Sequence, residues 1–269
     1  EAEHDEEAKL AYFAVDTSNT SVAVGLKRSI GEHLTVDLNL SRLERAPSSV
    51  ELFMNGPHLA TGRFEVGNPA LTEEKGTSAE LALQYRDDRF FGTLAFFNTN
   101  IDDYIYLQDS SEFDHGLVVS NYLQQDAEFD GYEMEIGAIF PLGQGDLTLS
   151  FARDAVTGEF AGGGYLPRIT PERNIYSAVY QEETVGLSLE FKDVASQRDV
   201  SGGEEATDGY QMLGLRAVKS FQLENGIALR VSVFGNNLLD DVARNHSSFV
   251  KQEVPLPGRN YGAKFSATF

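Results

Sequence analysis

The sequence predicts an all-β chain, an antiparallel meander of roughly eleven or twelve strands built as a transmembrane β-barrel. Three observations carry this reading. Segment after segment places apolar residues at every second position, the period of a strand. The connections alternate between short turns and long loops, the asymmetry of a barrel with its turns on one side of a membrane and its loops on the other. The chain closes on Tyr261-Gly262-Ala263-Lys264-Phe265-Ser266-Ala267-Thr268-Phe269, an unbroken alternation that ends on an aromatic, where a soluble domain normally frays into polar residues.

The strands follow in order. Val22, Val24 and Leu26 lead to Leu34, Val36, Leu38 and Leu40, then to Ala79, Leu81, Leu83 and Tyr85. The pattern continues through Phe91 to Ile105, Tyr132 to Phe140, Leu147 to Phe151, Val185 to Phe191, Leu213 to Ala217, Ile227 to Val233 and the terminal run, with residues 8–15 a candidate twelfth strand. Helical spacing is nearly absent. Turn composition marks Ser29-Ile30-Gly31-Glu32, Arg86-Asp87-Asp88-Arg89, Pro141 to Gly145, Gln181-Glu182-Glu183 and Leu223-Glu224-Asn225-Gly226. Long loops are expected over about 46–75, 108–116, 155–170, 196–207 and 239–257. No boundary interrupts the meander, so residues 1–269 read as one barrel domain.

Each run is long enough to cross a bilayer at a tilt of about 45°. The faces opposite the apolar residues carry Asp37, Asn39, Glu80, Gln84, Glu133, Glu135, Ser188, Glu190, Arg230 and Lys264. In a soluble sandwich these would form the solvated outer face; the terminal Phe and the loop alternation favour a lumen instead. Phe90, Phe91, Tyr104, Tyr106, Tyr122, Tyr176, Tyr180, Tyr210 and Tyr261 suit aromatic girdles at the two interfaces, although any one of them alone is an ordinary sheet-edge residue.

Composition excludes several classes. A net charge of -21, from 42 acidic and 21 basic residues, argues against a nucleic-acid partner, which requires clustered cations. Cysteine is absent, so disulfides and thiolate chemistry are excluded. No run approaches the length of a membrane-spanning helix and mean hydropathy is -0.28, which leaves a barrel as the route across a membrane. The opening Glu1-Ala2-Glu3-His4-Asp5-Glu6-Glu7 has neither the basic start nor the apolar centre of a signal peptide, so an export signal is expected to have been removed or to lie in a longer parent chain. No catalytic residue is assigned: Gly-x-Ser-x-Gly and phosphate-loop motifs are missing, the glycines at 162–164 open no helix, and the surroundings of Asp146 do not follow a calcium loop. The chain is read as a non-enzyme with no required cofactor.

Leu40-Ser41-Arg42-Leu43-Glu44-Arg45-Ala46-Pro47-Ser48-Ser49-Val50-Glu51-Leu52-Phe53, followed by Gly67-Asn68-Pro69-Ala70-Leu71-Thr72-Glu73-Glu74-Lys75, resembles TonB-dependent outer-membrane receptors. Further landmarks follow in the same order: Asp103-Tyr104-Ile105, Gly131-Tyr132-Glu133, Asn236-Asn237-Leu238-Leu239-Asp240 and Pro257-Gly258-Arg259-Asn260-Tyr261. Pro47 ends a ladder, and Gly67-Asn68-Pro69 supplies the turn before pairing resumes. The resemblance implies the bacterial outer membrane, a lipid surround, and recognition of the strand ending at Phe269 by the outer-membrane assembly machinery. It also implies a twenty-two-stranded barrel filled by an N-terminal plug. Counted back from the last strand, this chain corresponds to the C-terminal half, and contact with the TonB energy-coupling protein would run through the plug, which it lacks. The expected function is uptake of a metal ion or metal chelate; the alternative is a self-contained small barrel acting as a passive pore or structural protein.

Zinc is the favoured transported ligand. The Asn55-Gly56-Pro57-His58 loop is similar to the zinc-receptor branch of that family, in which outer-loop histidines and acids gather the metal, and imidazole with carboxylate suits zinc chemically. Four of the five histidines fall in expected loops or the N-terminal piece; His33 does not. The metal-binding candidates are therefore His4, Asp5, Glu6, His58, His115 and His246. Each histidine singly is more often a solvated loop residue than a ligand.

Overall fold

The computed structural model describes residues 17–223 and 226–269. His4, Asp5, Glu6, the candidate strand at 8–15 and the centre of the Leu223–Gly226 turn lie outside them. Eleven strands form a continuous antiparallel sheet: β1 (Val22–Ile30), β2 (Leu34–Arg45), β5 (Glu74–Arg86), β6 (Phe90–Asp114), β7 (Leu117–Leu142), β8 (Gly145–Phe160), β9 (Arg173–Gln181), β10 (Val185–Val194), β11 (Tyr210–Gln222), β12 (Ala228–Asn236) and β13 (Asn260–Thr268). Two short strands, β3 (Asn55–His58) and β4 (Arg63–Val66), lie off this path. The expected meander is what forms. Among the described residues, β1 and β13 are its two edges.

Register sorts the side chains onto two faces. Leu26 lies opposite Leu38, Leu38 opposite Leu81, Leu81 opposite Phe96 and Phe96 opposite Tyr132, one apolar row across five strands. A second row runs Ile136, Phe151, Tyr176, Phe191, Leu213. Among the described residues nothing lies over these outward-facing rows: Leu26 is 65% exposed and Phe96 48%. An apolar face this wide is stable only against lipid. On strand after strand the outward residues turn polar at one level, at Arg42, Thr77, Asn98, Asp130, Arg153, Asn174 and Asp193. About eight residues below that line, at about 3.3 Å each and a 45° tilt, cover roughly 20 Å, close to the height of an outer-membrane hydrocarbon band. The polar residues expected in the lumen do share the opposite face. There Lys27 pairs with Asp37 at 3.2 Å and Asn39 donates to Glu80 at 3.2 Å.

That face also carries three phenylalanines, each directly opposite a glycine: Phe91 on Gly137, Phe97 on Gly131 and Phe234 on Gly262. A Cβ at any of these glycines would run into the ring lying over it. The aromatic covers backbone that glycine leaves bare. Phe91 is therefore not a girdle residue.

The loop end departs from expectation in three ways. Residues 108–116 are not a loop: β6 and β7 continue as a long hairpin to Asp114 and Leu117, closed by His115 and Gly116 at φ 50° and 79°, the paired positive values of a tight hairpin turn. Residues 155–160 likewise belong to β8. The projecting hairpin exists because Tyr104, Ile105, Tyr106 and Leu107 have something to pack on. Ile105 joins Leu52, Leu71 and Tyr122 in one cluster, and Tyr104 and Tyr106 join Phe129, Phe160 and Leu166 in another. Tyr104, Tyr106 and Tyr122 thus belong to this packed loop end rather than to a girdle. The loop at 46–73 is itself structured. Ser48 and Glu51 form a reciprocal capping box on helix α1 (Ser49–Phe53), and β4 pairs in parallel with Val118–Asn121 of β7, covering an edge that would otherwise stand open.

Candidate functional site

The Arg-Ala-Pro and Gly-Asn-Pro landmarks meet at the base of this structured loop. Arg45, the last residue of β2, donates to Glu74 at 2.6 Å and to both oxygens of Glu51 at 2.9 and 3.1 Å. Burial would raise the Glu51 carboxyl, but hydrogen bonds from Arg45 and Ser48 hold it below its ordinary value. The amides of Gly67 and Asn68 donate back to Met54 and Glu51, and a Cβ at Gly67 would strike the backbone of residues 52–54. These motif residues fix where the outer segment stands.

Above that base, the β3–β4 turn, the β6–β7 hairpin and the loops at 161–172, 195–209 and 237–259 converge on a cavity of about 320 Å³. Its wall includes Arg63, Asp109, Arg168, Glu204, Phe249 and Lys251. The guanidinium groups of Arg63 and Arg168 stand over the Phe249 ring, at 5.1 and 4.0 Å from its centroid. Arg63 is fully engaged: it donates twice to Asp109, at 3.0 and 2.8 Å, and to the carbonyls of Thr61 and Phe249. Lys251 is engaged by Glu204. Arg168 differs: among the described residues its guanidinium pairs with no carboxylate, and its hydrogen bond to the Leu107 carbonyl is long at 3.5 Å. Burial lowers its pKa from the ordinary arginine value, against the pull of Glu204. Its backbone sits at φ 62°, a left-handed conformation uncommon outside glycine.

Glu204 ties three loops together. Its two oxygens accept from the Arg168 amide at 2.9 and 3.1 Å, one of them accepts from the Ser201 amide at 3.3 Å, and Lys251 and His246 reach the other. Burial would raise this carboxyl; the bonds from His246, Lys251 and the Arg168 amide outweigh it and hold it down to about 2. His246, 1% exposed, places Nε2 3.3 Å from Glu204 and 3.4 Å from Lys251 Nζ, and its Nδ1 shares a 2.9 Å hydrogen bond with the Thr207 hydroxyl.

The histidines expected to gather metal are held apart in separate roles. His58 donates through Nδ1 to Glu65 at 2.8 Å, and that 1%-exposed carboxylate also accepts from Thr61 and Tyr122 at 2.7 and 3.0 Å. His115 sits at the hairpin tip, stacked 6.1 Å from Phe64 and paired with Asp114. His246 is locked in the Glu204 network. Among the described residues no three His, Cys, Asp or Glu side chains are placed to hold a metal ion together.

The residues that build the cavity, Arg63, Asp109, Arg168, Glu204, Phe249 and Lys251, carried no signal in the sequence. They come from five segments separated by up to 188 positions, and only folding of the loops onto one another assembles them.

The family model described as TonB dependent receptor-like, beta-barrel matches residues 5–238. Among solved structures, a copper transporter named OprC superposes with a TM-score of 0.74 at 20% identity, over 90% of this chain and 39% of that one. The siderophore receptor PirA from Acinetobacter baumannii gives 0.64 at 18%, over 92% and 41%, and the FrpB iron transporter from Neisseria meningitidis 0.63 at 14%, over 92% and 39%. At these identities the likeness concerns the fold, and the chain spans about two fifths of the length of the structures it matches. With its outward apolar band, its alternating turns and loops and its matching landmarks, the chain belongs to the TonB-dependent receptor β-barrel family of the Gram-negative outer membrane.

Proposed function

We propose that the chain, as a single barrel domain, is the C-terminal part of a receptor that takes up a metal in chelated form, capturing it at the outer loops as an oxygen-rich chelate with a negatively charged edge. The observation that carries this is Arg168: a partly buried guanidinium on the wall of a cavity, left without a carboxylate while its neighbours Arg63 and Lys251 are each neutralised. A cation desolvated in this way favours an anion that completes its hydrogen bonds. The Phe249 ring, 4.0 Å from Arg168 Cζ, supports the guanidinium, whose planar fork suits a carboxylate or phenolate pair. The barrel then supplies the path, and the work of uptake is energised through a plug and TonB, which in this reading belong to the remainder of the receptor. The protein acts as a transporter and needs no cofactor of its own. Zinc, expected from the loop histidines, enters as one of the metals such a chelate carries.

The test is calorimetry on the folded chain with iron(III)–citrate, zinc–citrate and Zn²⁺ alone, comparing wild type with Arg168→Gln and His58→Ala. The reading expects a chelate to bind and Arg168→Gln to weaken it by about tenfold or more, the cost of one charge-assisted hydrogen-bonded contact. Binding of bare Zn²⁺ that His58→Ala abolishes and Arg168→Gln leaves unchanged would replace it with capture of the free ion by histidine.

A further inference from the structure

The turn end of the sheet has its own chemistry on the lipid-facing side. Phe90 stands eight residues below Asn98 on β6, and Phe140 four residues below Ile136 on β7, so both rings sit at the lower edge of the outward apolar band. Arg89 lies over the two of them, its Cζ 5.3 Å from the Phe90 centroid and 4.9 Å from that of Phe140. Aromatic faces at this depth support a cation where lipid headgroups begin. The turn itself is fixed. The Arg89 carbonyl accepts from the Ile139 amide at 2.8 Å, and Asp87 accepts from the Arg89 and Phe90 amides at 2.7 and 2.5 Å and from the Tyr85 hydroxyl at 2.7 Å. Asp87 is thereby used up inside the turn. Asp88 and Arg89 are exposed, and among the described residues neither is ion-paired.

The arrangement recurs on β11. Lys219 stands eight residues below Gln211, which lies opposite Asp193 of the upper polar line, and it faces outward beside Val185. Its Nζ donates to the Thr184 hydroxyl at 2.8 Å, and the exposed Glu183 precedes Thr184 in the β9–β10 turn. Both places put a cation at the edge of the apolar band and an acid in the turn just beyond it. β6 and β11 each have strand neighbours on both sides, and this face looks away from the lumen, so neither closing strands nor a plug would cover it.

We propose that these are headgroup sites for a zwitterionic aminophospholipid of the inner leaflet, which sets its phosphate on Arg89 or Lys219 and its ammonium on Asp88 or Glu183. The short turns of such a barrel face the periplasm, so phospholipid is the lipid beside them. The guanidinium of Arg89, backed by two rings, presents its fork to a pair of phosphate oxygens. An ethanolamine headgroup carries its ammonium two carbons beyond the phosphate, on the water side, where the acid stands. An anionic headgroup would gain the cation but meet the unpaired acid, which is how the turns discriminate. The sites are independent of the cargo taken at the outer loops.

The test is native mass spectrometry of the full-length receptor, released from detergent after incubation with equal amounts of phosphatidylethanolamine and phosphatidylglycerol of matched acyl chains. Wild type is expected to keep two phosphatidylethanolamine molecules. Arg89→Gln and Lys219→Gln should each weaken one of them by about fivefold, the worth of one cation at a lipid surface, and Arg89→Lys should keep most of its binding. Asp88→Asn should let phosphatidylglycerol compete on equal terms at the Arg89 site. Arg86→Gln, which alters the cation of the same turn that lies 5.5 Å from the lumen-side Phe91 ring, should change neither lipid. Retention unchanged in the Arg89→Gln, Lys219→Gln double variant, or lowered as much by Arg86→Gln, overturns the sites. A wild-type preference for phosphatidylglycerol overturns the pairing of ammonium with acid.

Discussion

Glu204→Gln should open the loop end while leaving the barrel intact. The carboxylate is the shared partner of Lys251, 5% exposed, and of His246, 1% exposed, and it also holds the Arg168 and Ser201 amides. Removing its charge strands a buried ammonium, which typically costs 3–5 kcal/mol; the amide keeps one acceptor, so about 3 kcal/mol is the reasonable expectation. That corresponds to roughly a hundredfold in a local opening equilibrium. Hydrogen exchange should therefore accelerate by about that factor at 195–209 and 237–259, with β9 to β13 unchanged below their loop ends. Adding Lys251→Met should recover most of the protection, because the stranded charge is then gone. The same network sets an acid dependence. The folded carboxyl titrates at about 2 against an ordinary 4.5, so its contribution is complete above about pH 4.5 and is lost as pH falls toward 2. Screening by water in the adjoining cavity reduces the linkage to roughly 2 kcal/mol. If exchange in Glu204→Gln stays within about twofold of wild type, the three loops are held by something other than this carboxylate.

Two further perturbations test the two faces of the sheet. Gly137→Ala places a methyl group against the Phe91 ring and should cost about 1–3 kcal/mol, read as a lower urea midpoint in detergent; Phe91→Ala in the same background should relieve the clash, whereas additive losses would deny the pairing. Leu38→Arg on the outward face should cost about 2–4 kcal/mol in bilayers, and near-neutrality there would mean that this row does not face lipid.

How much of this was legible in the sequence depended on whether the relevant physics is periodic. The barrel strands were, because an apolar residue at every second position is dictated by contact with lipid on one side: Leu26, Leu38 and Leu81 declare their face without knowledge of their neighbours. The loop end was not. Tyr104 and Tyr106 look like girdle residues in sequence, yet they stack 6.4 Å apart against Phe129 and Phe160, because beyond the register shift at Ile101 the hairpin leaves the membrane and packs on other loops. His58 and His246 looked like potential ligands because imidazole beside carboxylate suits metals; in the fold the carboxylates are present, as Glu65 and Glu204, but each serves one histidine alone. Arg168 and Phe249 were silent because a cation–π contact across 81 positions leaves no local trace.

The edges of the sheet bear on what completes the barrel. Among the described residues, eleven strands in an antiparallel meander leave β1 and β13 running in the same direction, so the two cannot close on each other by antiparallel pairing. Closure requires an odd number of strands between them: one in a small barrel, eleven in a twenty-two-stranded one. The difference is measurable. With a single intervening strand the edges stand about 10 Å apart, two inter-strand spacings; in the larger barrel they lie on opposite sides of the lumen. The absence of native cysteine makes the test clean. Ala263→Cys on β13, combined in turn with cysteine at Val24, Leu26 or Ile30 of β1 to allow for stagger, should resist an outward-facing bis-maleimide of about 10 Å reach if the chain is part of a large receptor barrel. A crosslink within one chain, at any of the three positions, would refute that and establish the small closed barrel.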